Sequence, residues 1–264
     1  MKGLVIVIKG AGEMASGIAC RLHSAGLTKI LLTEIEEPLA VRRRVSFSEA
    51  VYEGHAEVEG VGARVVKDLD EIPSLWEKRE LAVLVDHESG CVKKVRPHVV
   101  IDAIMKKETT ATRAGEAPLV IGIGPGFVAP RDAHLVIESN RGHDLGRIIR
   151  NGSAEPFTGF PGATMGYKTE RVLRSPHRGK VRHVKQIGDA IRTGDTAVYV
   201  DDTPVFARID GILRGLIREI HVEEGEKIGD VEPRGRVEYC HTISDKARAI
   251  GGGVLEAIMS DFNR

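Results

Sequence analysis

Leu4-Val5-Ile6-Val7-Ile8-Lys9-Gly10-Ala11-Gly12-Glu13-Met14-Ala15-Ser16-Gly17-Ile18-Ala19-Cys20-Arg21 carries the chain out of a buried strand and into a helix. The five apolar, mostly β-branched residues have the length and composition of a strand covered on both faces. The glycines after them fit G-x-G-x-x-(G/A), with Gly10, Gly12 and Ala15 in the three places. Gly10 permits a tight turn, Gly12 lets the backbone approach a pyrophosphate, and Ala15 and Gly17 keep the helix close to the strand. Unpaired N–H groups and the helix dipole favour an anion at that point. Gly10, Ala11, Gly12, Glu13 and Met14 are therefore candidate cofactor-binding residues. Thr28-Lys29-Ile30-Leu31-Leu32-Thr33-Glu34 reads as the next strand and ends in a carboxylate 22 residues after Gly12. A dinucleotide-binding unit places its ribose-binding acid there, so Glu34 joins the candidates. The competing reading gives the glycines packing work alone.

Further apolar runs continue the pattern at Ala63–Val66, Leu81–Val85, Val99–Ile104, Leu119–Ile123 and Leu135–Ile137. Their alternation with helical or loop segments predicts a Rossmann-like α/β domain over residues 1–150, with a doubly wound, mostly parallel sheet. Met14, Ile18 and Leu22 give the first helix a core-facing stripe, and Pro38 opens a predicted helix reaching about Val51. Residues 151–169 are rich in Gly and Pro and read as a connection. Residues 170–240 hold an imperfect repeat with the Gly-Asp turns Gly188-Asp189, Gly194-Asp195 and Gly229-Asp230. Short alternating strands around such turns predict small hairpins. The pattern resembles the biotinyl/lipoyl-like barrel-sandwich hybrid fold. That family carries its cofactor on a lysine between the halves, and the junction here is Val200-Asp201-Asp202-Thr203. The likeness implies a small β-barrel without a swinging arm. Residues 241–264 form a closing helix entered at Ser244, with Gly251-Gly252-Gly253 suited to close packing.

At 264 residues the chain has room for two domains, and 42% hydrophobic with 29% charged residues is the make-up of a globular protein. A net charge of zero gives no bulk attraction to nucleic acid or anionic membrane, and the apolar runs are strand-sized. No signal peptide is readable at the start, so the expected location is cytoplasmic. Cys20, Cys91 and Cys240 lack the spacing of a disulfide framework or a zinc knuckle.

Ligands of open α/β sheets sit beyond the carboxyl ends of the strands. Those ends collect the first glycine turn, Glu34, Asp86, Asp102 and a second glycine turn, Gly122-Ile123-Gly124-Pro125-Gly126-Phe127. Gly124, Pro125 and Gly126 are either a second wall of the crevice or a tight turn. Arg42-Arg43-Arg44, on the predicted helix, either send one guanidinium to the crevice or form a solvated basic turn. Lys106 and Lys107 read as phosphate contacts or as a solvated pair. Asp132, His134, Glu138 and His143 match no tight ligand motif, and no metal is assigned. Cys240 is either a thiolate poised before the last helix or a buried structural thiol. No catalytic residue stands out, and whether the chain is an enzyme is left open.

Lys9–Gly17, Arg43-Arg44-Val45-Ser46-Phe47, Gly124–Phe127, Arg141-Gly142-His143-Asp144-Leu145-Gly146 and Ile243-Ser244-Asp245-Lys246-Ala247 together resemble the YqeB family, associated with selenium-dependent molybdenum hydroxylases. The first part is also similar to XdhC-type factors, which handle molybdenum cofactor. The resemblance implies a maturation factor with a molybdenum hydroxylase as client, binding a nucleotide, NAD(P) or a molybdopterin-type phosphate ligand. The alternatives are an NAD(P)-dependent oxidoreductase and a non-catalytic structural or interaction protein. A small-molecule phosphate ligand and a homo-oligomer are further expectations.

Overall fold

The computed structural model describes residues 3–105, 111–159 and 161–263. The chain divides into two units. One comprises residues 1–38, 46–157 and 243–264, and the other residues 39–45 and 158–242.

The first unit is built on a nine-stranded sheet. β1 (Val5–Lys9), β2 (Lys29–Glu34), β5 (Leu81–Val85), β6 (Val99–Asp102), β7 (Leu119–Ile123) and β8 (Leu135–Ile137) are the apolar runs expected from the sequence. With β3 (His55–Val58), β4 (Val61–Val66) and β9 (Ile148–Ile149) they lie in the order β3-β4-β5-β2-β1-β6-β7-β8-β9. β3 pairs antiparallel to β4 and β9 antiparallel to β8, so the sheet is mixed. Alternation sends Val7, Leu31, Val100, Val120 and Val136 to one face, where they share a core with Ile72 and Leu75 of α3 (Ile72–Glu77) and Cys91 and Val92 of α4 (Cys91–Val95). Ile6, Ile8, Ile101 and Ile137 point the other way and are fully buried. α1 (Glu13–Ser24) and α5 (Asp245–Phe262) pack on each other over that face.

Small residues set how closely α1 and α5 approach. A Cβ on Gly17 would stand 2.6 Å from the Ala247 methyl, and one on Gly251 would stand 3.2 Å from the Gly17 carbonyl oxygen. The contacts 17–247 and 251–21 advance together, so the helices run parallel with their N-termini side by side. The glycine run in α5 thus serves packing at Gly251 and at Gly253, where a Cβ would overlap the Gly146 carbonyl. Ser244 caps α5 by accepting from the Ala247 N–H at 3.3 Å.

The second unit consists of two antiparallel four-stranded sheets. One has the order β10 (Val172–Arg174), β17 (Lys227–Glu232), β15 (Gly211–Leu216), β12 (Ala190–Ile191); the other β14 (Thr203–Phe206), β13 (Thr196–Val200), β11 (Gly179–His183), β16 (His221–Val222). Leu173, Leu213, Ile228 and Val231 from the first meet Val181, Val198, Val200 and Val222 from the second in one core. Residues 39–45 join this unit through a hydrogen bond from the Leu216 N–H to the Val41 carbonyl, 2.8 Å. Beneath the core lies an ionic cluster: Asp230 is paired with Arg171 and, at 2.8 Å, with Arg214, and Glu232 is paired with Arg214 and Arg234.

This architecture corrects the expectation of a Rossmann-like, doubly wound sheet followed by a small β-barrel, although the sheet is mostly parallel as expected. The sheet carries an antiparallel strand at each edge, and two separate antiparallel sheets stand where one barrel was expected. Helical cover is also uneven. α2 (Glu49–Glu53), α3 and α4 are only five or six residues long, against 12 for α1 and 18 for α5. The helix expected from Pro38 to Val51 reduces to a 3-10 turn at Arg43–Val45 and α2. The backbone there has other partners: the Phe47 N–H donates to Ser16 Oγ at 2.8 Å and the Ser48 N–H to the Ala11 carbonyl at 2.9 Å.

Candidate functional site

The site described here belongs to the first unit, at the carboxyl ends of β5, β2, β1 and β6. Gly10 has φ +92°, and a Cβ there would lie 3.3 Å from the Ala103 carbonyl oxygen, so glycine is required both by conformation and by the end of β6. Gly12 differs. Its φ of −69° suits any residue, and among the described residues nothing lies within 4 Å of where its Cβ would stand. The described residues therefore leave the turn open at Gly12, the N-cap of α1. The N–H groups of Gly12 and Met14 meet no acceptor among the described residues, as the first turn of a helix dictates.

Glu34 closes the inner side of this turn. Its Oε2 accepts the Ala11 N–H at 2.9 Å and its Oε1 the Ile35 N–H at 2.9 Å. Burial pushes its carboxyl above the usual glutamate value, and the two backbone donors oppose that rise. Glu34 is thus a brace for the turn. Lys246, on the first turn of α5, lies within the fields of Glu13 and Glu138; burial, and then Arg141, hold its ammonium below the usual lysine value.

The rim of the crevice is apolar. Ile35, Val85 and Ile104 are 37%, 37% and 38% exposed, each just at or beyond the end of its strand. Val85 is the register partner of Glu34, and the Ile104 Cα would lie 3.4 Å from a Cβ on Gly10. Apolar residues at strand ends read as core in the sequence; the discriminating feature is their place at the carboxyl end of the strand or just past it.

Other candidates have structural partners. Asp86 accepts from the Cys91 N–H at 2.7 Å and the Gly90 N–H at 3.1 Å; burial would raise its carboxyl, but these bonds and the Cys91 thiol bring it below the usual aspartate value. Asp102 accepts from Thr112 Oγ1 at 2.7 Å and the Ile104 N–H at 3.2 Å. At the second glycine turn, Gly124 packs against the Ser139 side chain and Phe127 covers Gly122, while Pro125 and Gly126 are half-buried. The Met105 methyl would lie 3.7 Å from a Cβ on Gly124, so residues 104 and 105 touch both glycine turns.

Two of the three consecutive arginines hold backbone carbonyls of the second unit. Arg42 donates to the Tyr239 carbonyl at 2.6 Å and the Thr242 carbonyl at 2.9 Å, and Arg43 to the Leu216 carbonyl at 2.7 Å, all within the second unit. Lys106 and Lys107 lie outside the described residues. Asp132, His134 and Glu138 bind backbone N–H groups of Val128, Val120, and Asn140 with Glu155, respectively. Among the described residues no group of three or more His, Cys, Asp and Glu is placed to hold a metal ion. Cys20, Cys91 and Cys240 are buried. Burial pushes the first two thiols up to about 12, with Glu59 adding to it for Cys20 and Asp86 for Cys91. Burial also raises Cys240, against the pull of Arg42 and Arg214, which removes the poised-thiolate alternative.

Over 256 residues the chain is 44% identical to a protein of Escherichia coli K12 named "Uncharacterized protein YqeB". The chain is a YqeB homologue. The match covers 97% of this chain and 47% of YqeB, so the chain spans about half the length of the curated relative it matches. No protein-family model matches. Among solved structures, the chain is similar to a succinylglutamate desuccinylase/aspartoacylase from Rhodobacter sphaeroides, with 12% identity, 87% and 85% of the two chains covered and a TM-score of 0.27. It is similar also to the ectoine utilization protein EutE (DoeB) from Ruegeria pomeroyi, with 8% identity, 87% and 85% covered and a TM-score of 0.26. A third is an aspartoacylase family protein from Mesorhizobium loti, with 9% identity, 89% and 87% covered and a TM-score of 0.27. Likenesses this weak transfer neither fold nor chemistry to the YqeB homologue.

These findings correct the functional expectation. YqeB itself supplies a name and no role, and the mixed sheet is not the Rossmann unit on which the expectation rested. The maturation role for a selenium-dependent molybdenum hydroxylase, the XdhC-like Rossmann unit and the alternatives set beside them are withdrawn. No helix among the described residues is long and apolar enough to cross a membrane.

Proposed function

We propose that the carboxyl edge of the nine-stranded sheet binds a small phosphate-bearing molecule. The observation that carries this reading is the open turn at Gly12, with the N–H groups of Gly12 and Met14 unclaimed among the described residues. Backbone donors at a helix N-terminus, backed by the helix dipole, suit a phosphate. Gly10, Ala11, Gly12, Glu13 and Met14 form the anion end, Glu34 braces it, and Gly124, Pro125 and Gly126 stand beyond Met105 as the far wall. Ile35, Val85 and Ile104 offer apolar surface to the rest of the molecule.

Calorimetric titration with inorganic phosphate and phenyl phosphate tests this. Phenyl phosphate should bind more tightly, because only it reaches the apolar rim. Gly12→Val should abolish binding while the melting temperature holds, since its φ and the space around it admit a side chain. Unchanged affinity in that variant overturns the proposal.

A further inference from the structure

On the opposite face of the same sheet, between α4 and residues 111–118, lies a cavity of about 840 Å³. That volume falls in the range of small-molecule sites. Its floor holds Lys9, whose side chain leaves the end of β1 on the α4 side and is only 7% exposed. Lys9 Nζ donates to Thr112 Oγ1 at 2.7 Å, and Thr112 in turn donates to Asp102. Glu116 Oε2 lies 2.6 Å from Nζ but off the hydrogen-bond direction, so this contact is an ion pair without a formed hydrogen bond. An ammonium has three donors; Thr112 takes one by a directed bond and the Glu116 carboxylate, 2.6 Å away, covers another side, which leaves one for an acceptor in the cavity.

The walls repeat this polarity. His98 Nδ1 accepts the Val5 N–H at 3.1 Å, which puts the neutral ring's proton on Nε2 as a donor. Lys93 and Arg96 line the cavity from α4, and among the described residues neither has an ion-pair partner. Arg96 sits at φ +49°, a left-handed conformation uncommon outside glycine, as the C-cap of α4. Lys9 and Glu116 offset each other, leaving Lys93 and Arg96 against Glu88, an excess of one positive charge. Between these groups the lining is apolar, from Val92, Pro97, Ala117 and Pro118.

We infer that this cavity is a second binding site, taking a small monocarboxylate with an apolar tail. Its carboxylate would meet Lys9 and its tail the Val92–Pro118 wall, with Lys93 and Arg96 drawing the anion in. The site lies on the face away from α1 and does not depend on the ligand proposed for the glycine turn.

Titration of the full chain with octanoate, and with octanol as the uncharged control, tests this. Octanoate should bind and octanol should bind at least tenfold more weakly. The exposed double variant Lys93→Glu/Arg96→Glu should weaken octanoate at least tenfold with an unchanged melt, and Lys9→Met should abolish binding. Lys9→Met leaves Glu116 uncompensated and is open to folding defects, which is why the rim variant decides. Gly12→Val should leave octanoate affinity unaltered. Failure of octanoate to bind, equal binding of octanol, undiminished affinity in the rim variant, or loss of octanoate with Gly12→Val each overturns the assignment.

Discussion

Asp230→Asn is the sharpest test of what holds the second unit together. The Asp230 side chain is 1% exposed and lies between Arg171 and Arg214, which are themselves 9% and 13% exposed, with Lys227 Nζ at 3.9 Å. Burial alone would raise its carboxyl, but the charges of Lys227, Arg214 and Arg171 overcome that and hold it below the ordinary value of 3.8. Asparagine keeps the shape and removes the charge, leaving two guanidinium groups in the interior against Glu232 alone. Breaking a buried pair from one side costs ~3–5 kcal/mol, since the stranded cation loses both water and its counter-ion. For a unit of this size that lowers the melting midpoint by ~12 °C or more. The sign with pH follows from the depressed carboxyl. Its contribution is complete above the unfolded value near 3.8 and is lost as pH falls through the lower folded value. Calorimetric melts of parent and variant at neutral pH, then in steps into acid, measure both. A variant that melts within a degree or two of the parent at neutral pH refutes the reasoning.

Gly10→Ala should destabilise by ~1–2 kcal/mol in urea titration, because alanine at a left-handed φ carries that cost before the 3.3 Å approach to the Ala103 carbonyl is counted; equal midpoints would contradict the strained turn. Gly17→Val should cost ~1–3 kcal/mol by forcing α1 away from Ala247, as overpacking does, and a neutral result would show that the two helices are free to separate. A thiol reagent at pH 8 should label none of Cys20, Cys91 and Cys240 until the chain unfolds, given their burial and raised values; rapid labelling of the native protein would contradict this.

Local periodicity carried the sequence reading where contacts are local. β1, α1 and the long closing helix are written in consecutive residues, and Ser244 announces its cap. The mixed character of the sheet was not legible. β3 pairs with β4 through a short turn at Glu59-Gly60, and β9 is two residues long, so neither yields a periodic stretch. The segment from Pro38 failed for a different reason. Its residues satisfy a helical pattern, but the carbonyl of Ala11 and the hydroxyl of Ser16, more than thirty residues away, take the amides of Ser48 and Phe47. At the site, the glycine turn was visible and the role of Glu34 was not, because a carboxylate at a strand end reads the same whether it faces a ligand or braces a turn. Lys93, Arg96 and His98 fall in no motif of the sequence, and only the fold sets them around a buried lysine.

The parallel packing of α1 and α5 has a consequence for how the first unit comes into being. The strands of its sheet are all encoded before residue 150, whereas the helix that shields the β7–β8 end of one face begins at Asp245, after the whole second unit. During synthesis the sheet therefore waits through nearly a hundred residues with that apolar flank uncovered, while the second unit has all its strands in hand before α5 is made. A nascent chain that has emerged from the ribosome as far as residue 242 should hold a protease-resistant second unit beside a first unit that still recruits chaperones, and emergence of α5 is the event that ends that exposure.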